Sequence, residues 1–316
     1  HRKERYHYSM KRKRPFWTNR NIKTMAVIVV FSLALTFSII AGARLISRPD
    51  KETKPIQTED EGLSGGEAVK FGNEMLPVVG DVDKSSYDIN LFKQLENGRM
   101  IYDSRTVKTW TGIDVSAHRD EIDWEAVKSD GVDFAMIRVG WRGNTEGKVN
   151  LDEYFHTNMK GASEAGLEVG VYFYSQAISK EEAVEEAESV IDWIKEYKIT
   201  YPVVFDWEYV SADARTGTLS NETLNECALA FCETIEKAGY MPMIYFNLDM
   251  GYRRYDLAKI GKYDFWLAEY DGAPTFYYNF QMLQYTSGGT VKGCDENVDL
   301  NLSFVDYAAR SKQRRG

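Results

Sequence analysis

Residues 201–208 read YPVVFDWE, an apolar run that ends in two carboxylates separated by one aromatic residue. A short apolar run after a proline is typical of a buried parallel strand, because a strand that is covered on both faces needs no polar alternation. The run therefore predicts an α/β fold built on a parallel sheet.

The two acids of this run have a defined relation to each other. Side chains alternate along a strand, so Asp206 and Glu208 point to the same side, with Cα atoms about 6.5 to 7 Å apart. Two acids at that separation cannot both ionise freely, so the pKa of one rises and that group holds a proton near neutrality. A proton donor beside a charged carboxylate is the minimal equipment for cleaving a glycosidic bond. The alternative is that both acids are only the polar end of a strand, or that they begin a helix.

Charge is distributed unevenly along the 316 residues. The net charge is −9, but residues 1–48 contain eleven Lys and Arg against the single Glu4, a net +10. The difference leaves −19 for residues 49–316. Such an acidic body argues against nucleic acid as a partner.

The basic end precedes an uncharged run of nineteen residues, 25–43. As a helix this run would be roughly 28 Å long, enough to cross the hydrocarbon core of a bilayer. Lys11 to Arg14, Arg20 and Lys23 lie before it, which predicts a cytoplasmic N-terminus and an extracytoplasmic body in a bacterium. The lipid bilayer is thus a predicted partner, through a signal anchor over 25–47 that follows a cytoplasmic tail over 1–24. The alternative is a signal peptide that is cleaved after Ala43.

The rest of the chain divides by composition. Residues 48–86 are mostly charged and polar and predict a disordered stalk, and residues 87–110 predict a segment packed on the body. We predict that residues 111–316 form the catalytic barrel. Three cysteines and four histidines form neither a disulfide framework nor a zinc-ligand spacing, so we predict no metal and no cofactor.

The body alternates short apolar runs with helical stretches. We predict strands at 112–116, 134–140, 169–175, 203–208, 241–246, 265–270, 282–285 and 298–302. We predict a short helix that begins at 123–128 and helices at 153–165, 180–197 and 220–238, the last capped by Ser220. The fold class is therefore α/β, a modified TIM-like (β/α) barrel of about five βα units followed by three strands with little helix.

In such a barrel the chemistry lies at the C-terminal ends of the strands. Asp206 and Glu208 lie at such an end, as Tyr174 and Tyr245 should. Asp114, on the first strand, and Asp299, on the eighth, become neighbours when the barrel closes. Four carboxylates are thus expected at one mouth.

These motifs, taken in order, resemble glycoside hydrolase family 25, the Chalaropsis-type lysozymes. The resemblance covers about residues 111–307. It rests on GIDVS at 112–116, IDW at 122–124, VYFYS at 171–175, PVVFDWE at 202–208, WLAEY at 266–270, QY at 284–285 and VDLN at 298–301.

The resemblance implies hydrolysis of the β-1,4 bond between N-acetylmuramic acid and N-acetylglucosamine, with peptidoglycan glycan strands as the partner. It implies that Glu208 is the general acid/base, that Asp206 orients the substrate's acetamido group, and that Asp114 and Asp299 support the site. The predicted substrate-binding residues are Tyr174, Tyr245, Tyr172, Trp266 and Gln284. The alternative function is a peptidoglycan-binding or scaffolding module that kept the barrel and lost catalysis.

Other conspicuous residues have two interpretations each. Trp207 and Tyr270 could stack on sugars or fill the core, and His118 could contact substrate or be structural. Arg138 should either pair with a barrel carboxylate or lie at the rim, and pairing is favoured because an unpaired buried charge is costly. The run of glutamates over 181–188 predicts a solvated helix face.

Overall fold

A computed structural model describes residues 67–118 and 121–315. The predicted tail (1–24), the predicted anchor (25–47) and the predicted stalk as far as residue 66 lie outside these residues. Among the described residues, no helix combines the length and the apolar character that a membrane span requires.

The strands follow in chain order. They are β1 (Ala68–Phe71), β2 (Glu74–Pro77), β3 (Phe92–Gln94), β4 (Met100–Tyr102), β5 (Trp110–Val115), β6 (Phe134–Arg142), β7 (Val149–Leu151), β8 (Glu168–Ser175), β9 (Val203–Trp207), β10 (Pro242–Asn247), β11 (Asp264–Ala268), β12 (Met282–Gly289) and β13 (Val298–Ser303). The α-helices are α1 (Trp124–Ser129), α2 (Phe155–Glu164), α3 (Lys180–Ile194), α4 (Asn221–Lys237), α5 (Leu248–Arg253), α6 (Leu257–Ile260) and α7 (Tyr307–Arg315).

Eight of these strands close into a barrel in the order β5-β13-β12-β11-β10-β9-β8-β6, and β6 pairs back with β5. The predicted α/β barrel is confirmed, and each predicted barrel strand overlaps an observed one. The last strand differs from a regular (β/α) barrel because β13 runs antiparallel to both β12 and β5. The sequence also did not predict β7, which pairs antiparallel with β6.

The helices cover the outer face of the first half of the barrel. Ser220 caps α4 as predicted, since its side chain accepts a hydrogen bond from the Thr223 amide. After β10 the chain forms only the short helices α5 and α6 before β11, and the described residues between β11 and β13 contain no helix. The helices therefore cover one side of the barrel and leave the other side with little helix.

Because side chains alternate along β9, they contribute to two separate buried clusters. Val203, Phe205 and Trp207 belong to the apolar layer between the strands and the helices. Val204 belongs to the barrel interior, a separate buried cluster that includes Trp266 and Tyr201. Because the period is two, Asp206 points inward like Val204 and lies one layer nearer the mouth.

The interior is tightly filled below that layer. The rings of Phe134 and Tyr201 stack with centroids 4.3 Å apart. Gly112 on β5 makes room for this pair, because a Cβ atom at that position would lie 2.2 Å from the Phe134 ring. Tyr307 of α7 is fully buried below them, and its hydroxyl donates to Asp264 at 2.8 Å. The barrel floor is thus closed by side chains, and only the opposite end is open.

The prediction of a disordered stalk as far as residue 86 is wrong for residues 68–77. They form an antiparallel hairpin of β1 and β2. The Phe71 ring lies 4.8 Å from the Tyr252 ring, and the Val79 amide donates to the Tyr278 hydroxyl at 2.8 Å. A few apolar side chains that find partners on the barrel are enough to order a segment whose composition is otherwise polar.

Residues 87–110, predicted to pack on the barrel, contain a short 3-10 helix and the hairpin of β3 and β4. An aromatic cluster joins the segment to the barrel. The Tyr87 ring lies 4.2 Å from the Phe304 ring, and the Phe92 ring lies 4.8 Å from the Tyr102 ring. The Tyr87 hydroxyl donates to the Phe280 carbonyl at 2.8 Å.

The prediction of a solvated glutamate face on α3 is wrong for Glu186, which is fully buried. Its carboxylate accepts hydrogen bonds from Arg142 Nε at 2.6 Å and from Ser175 Oγ at 2.6 Å. Burial raises the pKa of Glu186 to about 7, while the hydrogen bonds from Ser175 and Arg142 act in the opposite direction. An arginine 44 residues away in sequence, at the end of β6, supplies the partner that makes burial possible.

Candidate active site

The open end of the barrel holds a cavity of about 490 Å³ at the C-terminal ends of the parallel strands. It is lined by the nine predicted site residues, namely Asp114, Tyr172, Tyr174, Asp206, Glu208, Tyr245, Trp266, Gln284 and Asp299. Four further side chains line it: Ser116, His118, Arg138 and Tyr270. The structure thus brings together residues that are up to 185 positions apart in sequence, Asp114 and Asp299.

The acid pair lies at the end of β9. Asp206 is directly opposite Tyr174 on β8 and Tyr245 on β10 in the strand register, so the three form one layer across neighbouring strands. Asp206 is 5% exposed, and no described residue donates a hydrogen bond to its Oδ1 atom. Glu208 follows the last residue of the strand and is half-buried at the rim of this layer.

Burial raises the pKa of both acids. For Asp206 the next contributions come from the negative charges of Glu208 and Asp114, and the positive charge of Arg138 acts against them. For Glu208 the burial effect is opposed by the hydrogen bond with Asp206 and reinforced by the charge of Asp299. The pair therefore retains one proton above the usual carboxyl range, and that proton is shared between the two side chains.

Asp114 is held by a chain of directed hydrogen bonds. Its Oδ2 atom accepts from Gln284 Nε2 and from Asn301 Nδ2, both at 2.8 Å. The Asn301 amide orientation follows from Trp266, whose indole N–H can only donate and lies 2.9 Å from Asn301 Oδ1. Both amide groups therefore present N–H donors to Asp114, an arrangement suited to a carboxylate acceptor.

The Gln284 amide is oriented in the same way. Its Oε1 atom accepts from the hydroxyls of Tyr245 at 2.9 Å and Tyr270 at 2.7 Å, so its NH₂ group faces Asp114. Gln284 and Trp266 were predicted to bind substrate, and both line the cavity. In this structure they also position Asp114, Gln284 directly and Trp266 through Asn301. Asn301 does so too, and sequence reasoning missed it as a site residue. Its signal was its spacing of two from Asp299, which places both side chains on one face of β13.

The reversed direction of β13 explains the location of Asp299. Asp299 pairs in register with Asp114, although it is only the second residue of its strand. In a parallel eighth strand this position would lie toward the barrel floor. The prediction that Asp114 and Asp299 become neighbours is confirmed, and the antiparallel direction of β13 is what makes it so.

Arg138 pairs with a carboxylate, as predicted, and its partner is Asp152, at 2.7 Å. Asp152 is almost fully buried, and it also accepts hydrogen bonds from the amides of Ala117 and Tyr154. It thereby fastens the loop after β5 to Arg138. The guanidinium lines the cavity and also lies over the Trp141 ring, 5.1 Å from its centroid.

The aromatic candidates separate into two groups. Tyr172, Tyr245 and Trp266 face the cavity, and the edge-to-face contacts of Trp266 with the two tyrosines have centroid distances of 6.2 and 5.0 Å. Tyr270 lies at the rim and is 44% exposed. Trp207 is fully buried on the helix side, so the interpretation of Trp207 as a sugar platform is wrong. Its ring is covered instead by Arg254, at 5.5 Å.

Within the described part of the chain, no group of three or more His, Cys, Asp and Glu side chains is arranged to hold a metal ion. His118 lines the cavity from the loop after β5.

The chain is similar in sequence to known proteins. Residues 113–294 match the family model described as glycosyl hydrolases family 25. Protein YegX of Escherichia coli K12 is 28% identical over 205 residues, which is 60% of this chain and 68% of YegX. Lysozyme M1 of Streptomyces globisporus is 28% identical over 212 residues, which is 63% of this chain and 69% of the lysozyme.

A solved structure is also similar, that of the modular autolysin LytC of Streptococcus pneumoniae. It superposes with a TM-score of 0.57 at 26% identity and covers 67% of this chain and 51% of LytC. The chain thus spans about half the length of that protein.

The shared proton gives a testable expectation for the acid pair. In a Glu208→Gln variant the pKa of Asp206 should fall, because a neighbouring negative charge that opposes its ionisation has been removed. The ¹³C shifts of the carboxyl carbons, followed by NMR across a pH titration, measure this. Asp192→Asn, a surface change on α3, is the control and should leave Asp206 unaffected. An unchanged Asp206 titration in Glu208→Gln would mean that the charge of Glu208 does not contribute to the raised pKa of Asp206.

Proposed function

The chain belongs to glycosyl hydrolases family 25, and from that membership we propose that it acts as a peptidoglycan hydrolase of the lysozyme type. The bond cleaved is the β-1,4 bond between N-acetylmuramic acid and N-acetylglucosamine. The observation that carries this proposal is the pair of buried Asp206 and half-buried Glu208, two acids with raised pKa values at the open end of the barrel. The similarity to Lysozyme M1 supports the same conclusion.

The pair can supply a proton to the leaving group. One proton is shared between the two acids, and a hydrogen bond donated to Asp206 favours the charged form of that residue. In the proposed complex the acetamido N–H of the muramic acid residue makes that hydrogen bond. The proton then resides on Glu208, which transfers it to the glycosidic oxygen as the bond to C1 breaks.

The acetamido oxygen is the proposed nucleophile. It attacks C1 of the same sugar as the leaving group departs, and a cyclic oxazolinium ion forms with its positive charge beside Asp206. Glu208, now ionised, then takes a proton from water, and the water oxygen opens the ring at C1. Two displacements at one carbon give a product with retained β configuration.

Asp114 and Asp299 have supporting roles in this proposal. Asp114 is held by the amides of Gln284 and Asn301, so its position is set before substrate arrives. Asp299 lies beside it and raises the pKa of Glu208 through its negative charge, which favours the acid form that the first step needs. Tyr174 and Tyr245 flank Asp206 in register and are the proposed contacts for the sugar ring.

The location of the enzyme is a separate proposal. The uncharged run at 25–43, with basic residues before it, supports a single-pass anchor over 25–47 that leaves the barrel outside the bacterial membrane. Residues 48–66 would then connect the anchor to the hairpin of β1 and β2.

Glu208→Gln tests the proton donor. The variant keeps the shape of the side chain but cannot transfer a proton, so hydrolysis of purified cell walls should fall about 10²- to 10⁴-fold. Release of reducing ends measures this, and Glu164→Gln on the surface of α2 is the matched control. A Gln variant that turns over at the wild-type rate would remove Glu208 from the mechanism. A wild-type protein that binds walls without cleaving them would favour the binding-module alternative.

The same assay across pH tests the direction of the pKa shift. The acid form of Glu208 is required, and its pKa lies above the ordinary value. Activity should therefore decline on the alkaline side as pH rises through that raised pKa, and on the acidic side where Asp206 loses its charge, which gives a mildly acidic to near-neutral optimum. A decline centred at the ordinary carboxyl pKa would contradict this expectation.

Matched glycan strands with and without the N-acetyl group on muramic acid test the nucleophile. Substrate assistance requires near-complete loss of cleavage after de-N-acetylation, together with retained β product observed by NMR. Rapid cleavage of the de-N-acetylated strand would show that Asp206 attacks C1 directly or activates water. An inverted product would exclude both retaining routes.

Fractionation tests the anchor. The full chain should stay with membranes through an alkaline wash and enter solution only with detergent, because a transmembrane helix is held by the hydrophobic effect and not by charge. A soluble mature chain that begins just after residue 43 would show a cleaved signal peptide instead.

A further inference from the structure

A fully buried glutamine lies behind the acid pair, outside the cavity. Gln176 follows the last residue of β8, and its Nε2 group donates to the main-chain oxygens of Glu208 and Ser175, both at 2.9 Å. Its Oε1 atom accepts from the hydroxyl of Thr216 at 2.7 Å, and Thr216 is also buried. These three hydrogen bonds fix the amide orientation and use both of its N–H donors.

The Gln176 side chain binds the main chain just past the end of the sheet. The last register pair between β8 and β9 is Ser175 with Trp207, so Glu208 lies one residue beyond the ladder that orders its strand. The carbonyl of Glu208 is instead bound by the Gln176 side chain. The main chain that carries the proposed proton donor is therefore held by a side chain at its first step out of the barrel.

Two arginines hold the surroundings of Gln176 in turn. Arg215 donates to the Gln176 carbonyl at 2.7 Å, and its guanidinium binds both carboxylate oxygens of Glu182 at 2.6 and 2.8 Å. Arg142 binds Glu186 at 2.6 Å and Glu185 at 2.7 Å. We call these two arginines and three glutamates the arginine clamp.

The clamp joins three segments of the rim. Arg142 ends β6, Glu182 to Glu186 belong to α3, and Arg215 lies in the loop between β9 and α4. The loop is pinned to the β6–β7 turn, since the Arg215 amide donates to the Asn144 carbonyl at 3.1 Å. Gly147 in that turn has φ +69°, and a Cβ atom there would lie 2.8 Å from Arg215 Cζ. Only a glycine allows this approach.

We propose that Gln176 is the positioning residue of the proton donor, and that the arginine clamp fixes Gln176 so that Glu208 keeps its place at the rim. The inference rests on the function proposed above, because it assigns Glu208 the transfer of a proton. A displacement of about 1 Å in such a group, even when caused by a change remote from the chemistry, can reduce the rate about 10²-fold.

The composition of the clamp supports a positioning role over a purely stabilising one. Buried ion pairs are frequently no better for stability than apolar side chains of the same volume. Directed hydrogen bonds, in contrast, hold a main-chain atom in one place, and sites need geometry within about 0.5 Å. A polar arrangement of this extent at the one rim segment that carries Glu208 is what that requirement predicts.

The electrostatic setting of Glu208 makes its placement measurable. The titratable groups that interact with it or line the same cavity are Asp206, Asp299, Asp114, Tyr174, Tyr245, Tyr270, His118 and Arg138. Burial is the main cause of its raised pKa. If Glu208 moves outward it gains solvent, its pKa falls, and the acid form is lost at lower pH.

The test compares Gln176→Leu with wild type on purified peptidoglycan. We expect kcat to fall about 10- to 100-fold while KM changes little, and the alkaline limb of the pH profile to move to lower pH. Glu186 of the clamp also titrates, and it is present in both proteins, so the shift between them reports on Glu208.

Asn225→Leu is the matched control. Asn225 is a buried amide on α4 that also binds main-chain groups, the carbonyls of Asn221 and Arg254 and the amide of Asp256, and it does not line the cavity. Its loss should lower the melting temperature as Gln176→Leu does, with kcat and the pH profile unchanged.

Two variants of Thr216 provide a second test if Gln176→Leu does not fold. Thr216→Val removes the donor to Gln176 Oε1 and should lower kcat about five-fold, whereas Thr216→Ser keeps the hydroxyl and should stay near wild type. Folded Gln176→Leu or Thr216→Val with wild-type kcat and pH profile would overturn the inference. A wild-type protein that does not cleave peptidoglycan would overturn the proposed function instead, so the two failures are distinguishable.

Discussion

The desolvation of Asp206 and Glu208 is the constraint on which the open end of the barrel depends. Burial opposes the ionisation of both side chains, and the nearby charges of Asp114 and Asp299 add to that opposition. Such a concentration of acids costs stability, so the neighbouring polar groups have to be placed without error. Hydrogen bonds fix these groups: Trp266 orients Asn301, and Tyr245 and Tyr270 orient Gln284. Both amides then donate to Asp114. Arg138 is the compensating cation, and Asp152 holds it in place.

The same strand that carries the acids also carries the core. On β9 the outward side chains Phe205 and Trp207 are fully buried against the helices, and the inward positions are Val204 and Asp206. A one-residue slip of this strand would exchange the two sets, so hydrophobic packing on the outside fixes the direction of the acid on the inside. The packing of the core therefore also sets the orientation of Asp206 in the site. Glu208 is the exception, since it lies past the end of the ladder and has to be held by side chains.

Local pattern was enough to predict the barrel strands and the gathering of the site residues. Apolar runs mark each strand, alternation gives the inward direction of Asp206, and closure of a barrel brings its first and last strands together. What the sequence could not predict depends on partners distant in the chain. Glu186 looked like part of a solvated face because Arg142, its partner, lies 44 residues earlier. The segment at residues 68–79 looked disordered because Tyr252 and Tyr278, which contact Phe71 and Val79, lie nearly two hundred residues later. The direction of β13 was not predicted either, although residues 298–302, VDLNL, alternate apolar and polar side chains as antiparallel strands do, unlike the continuous apolar run of β9.

The direction of β13 also shapes the mouth. A parallel last strand needs a crossover connection, usually a helix, which would cover the barrel between β12 and β5. An antiparallel strand needs only residues 290–297 to turn back at the open end. Beside Asp299 this short return takes the place of a crossover helix, whereas the loop held by Arg215 lies next to Glu208 through Gln176. A polymer such as the proposed glycan strand has to cross the site without threading through it. Because β13 lies four strands from β9 in the barrel order, the side without a crossover helix is opposite the side that carries the proposed proton donor.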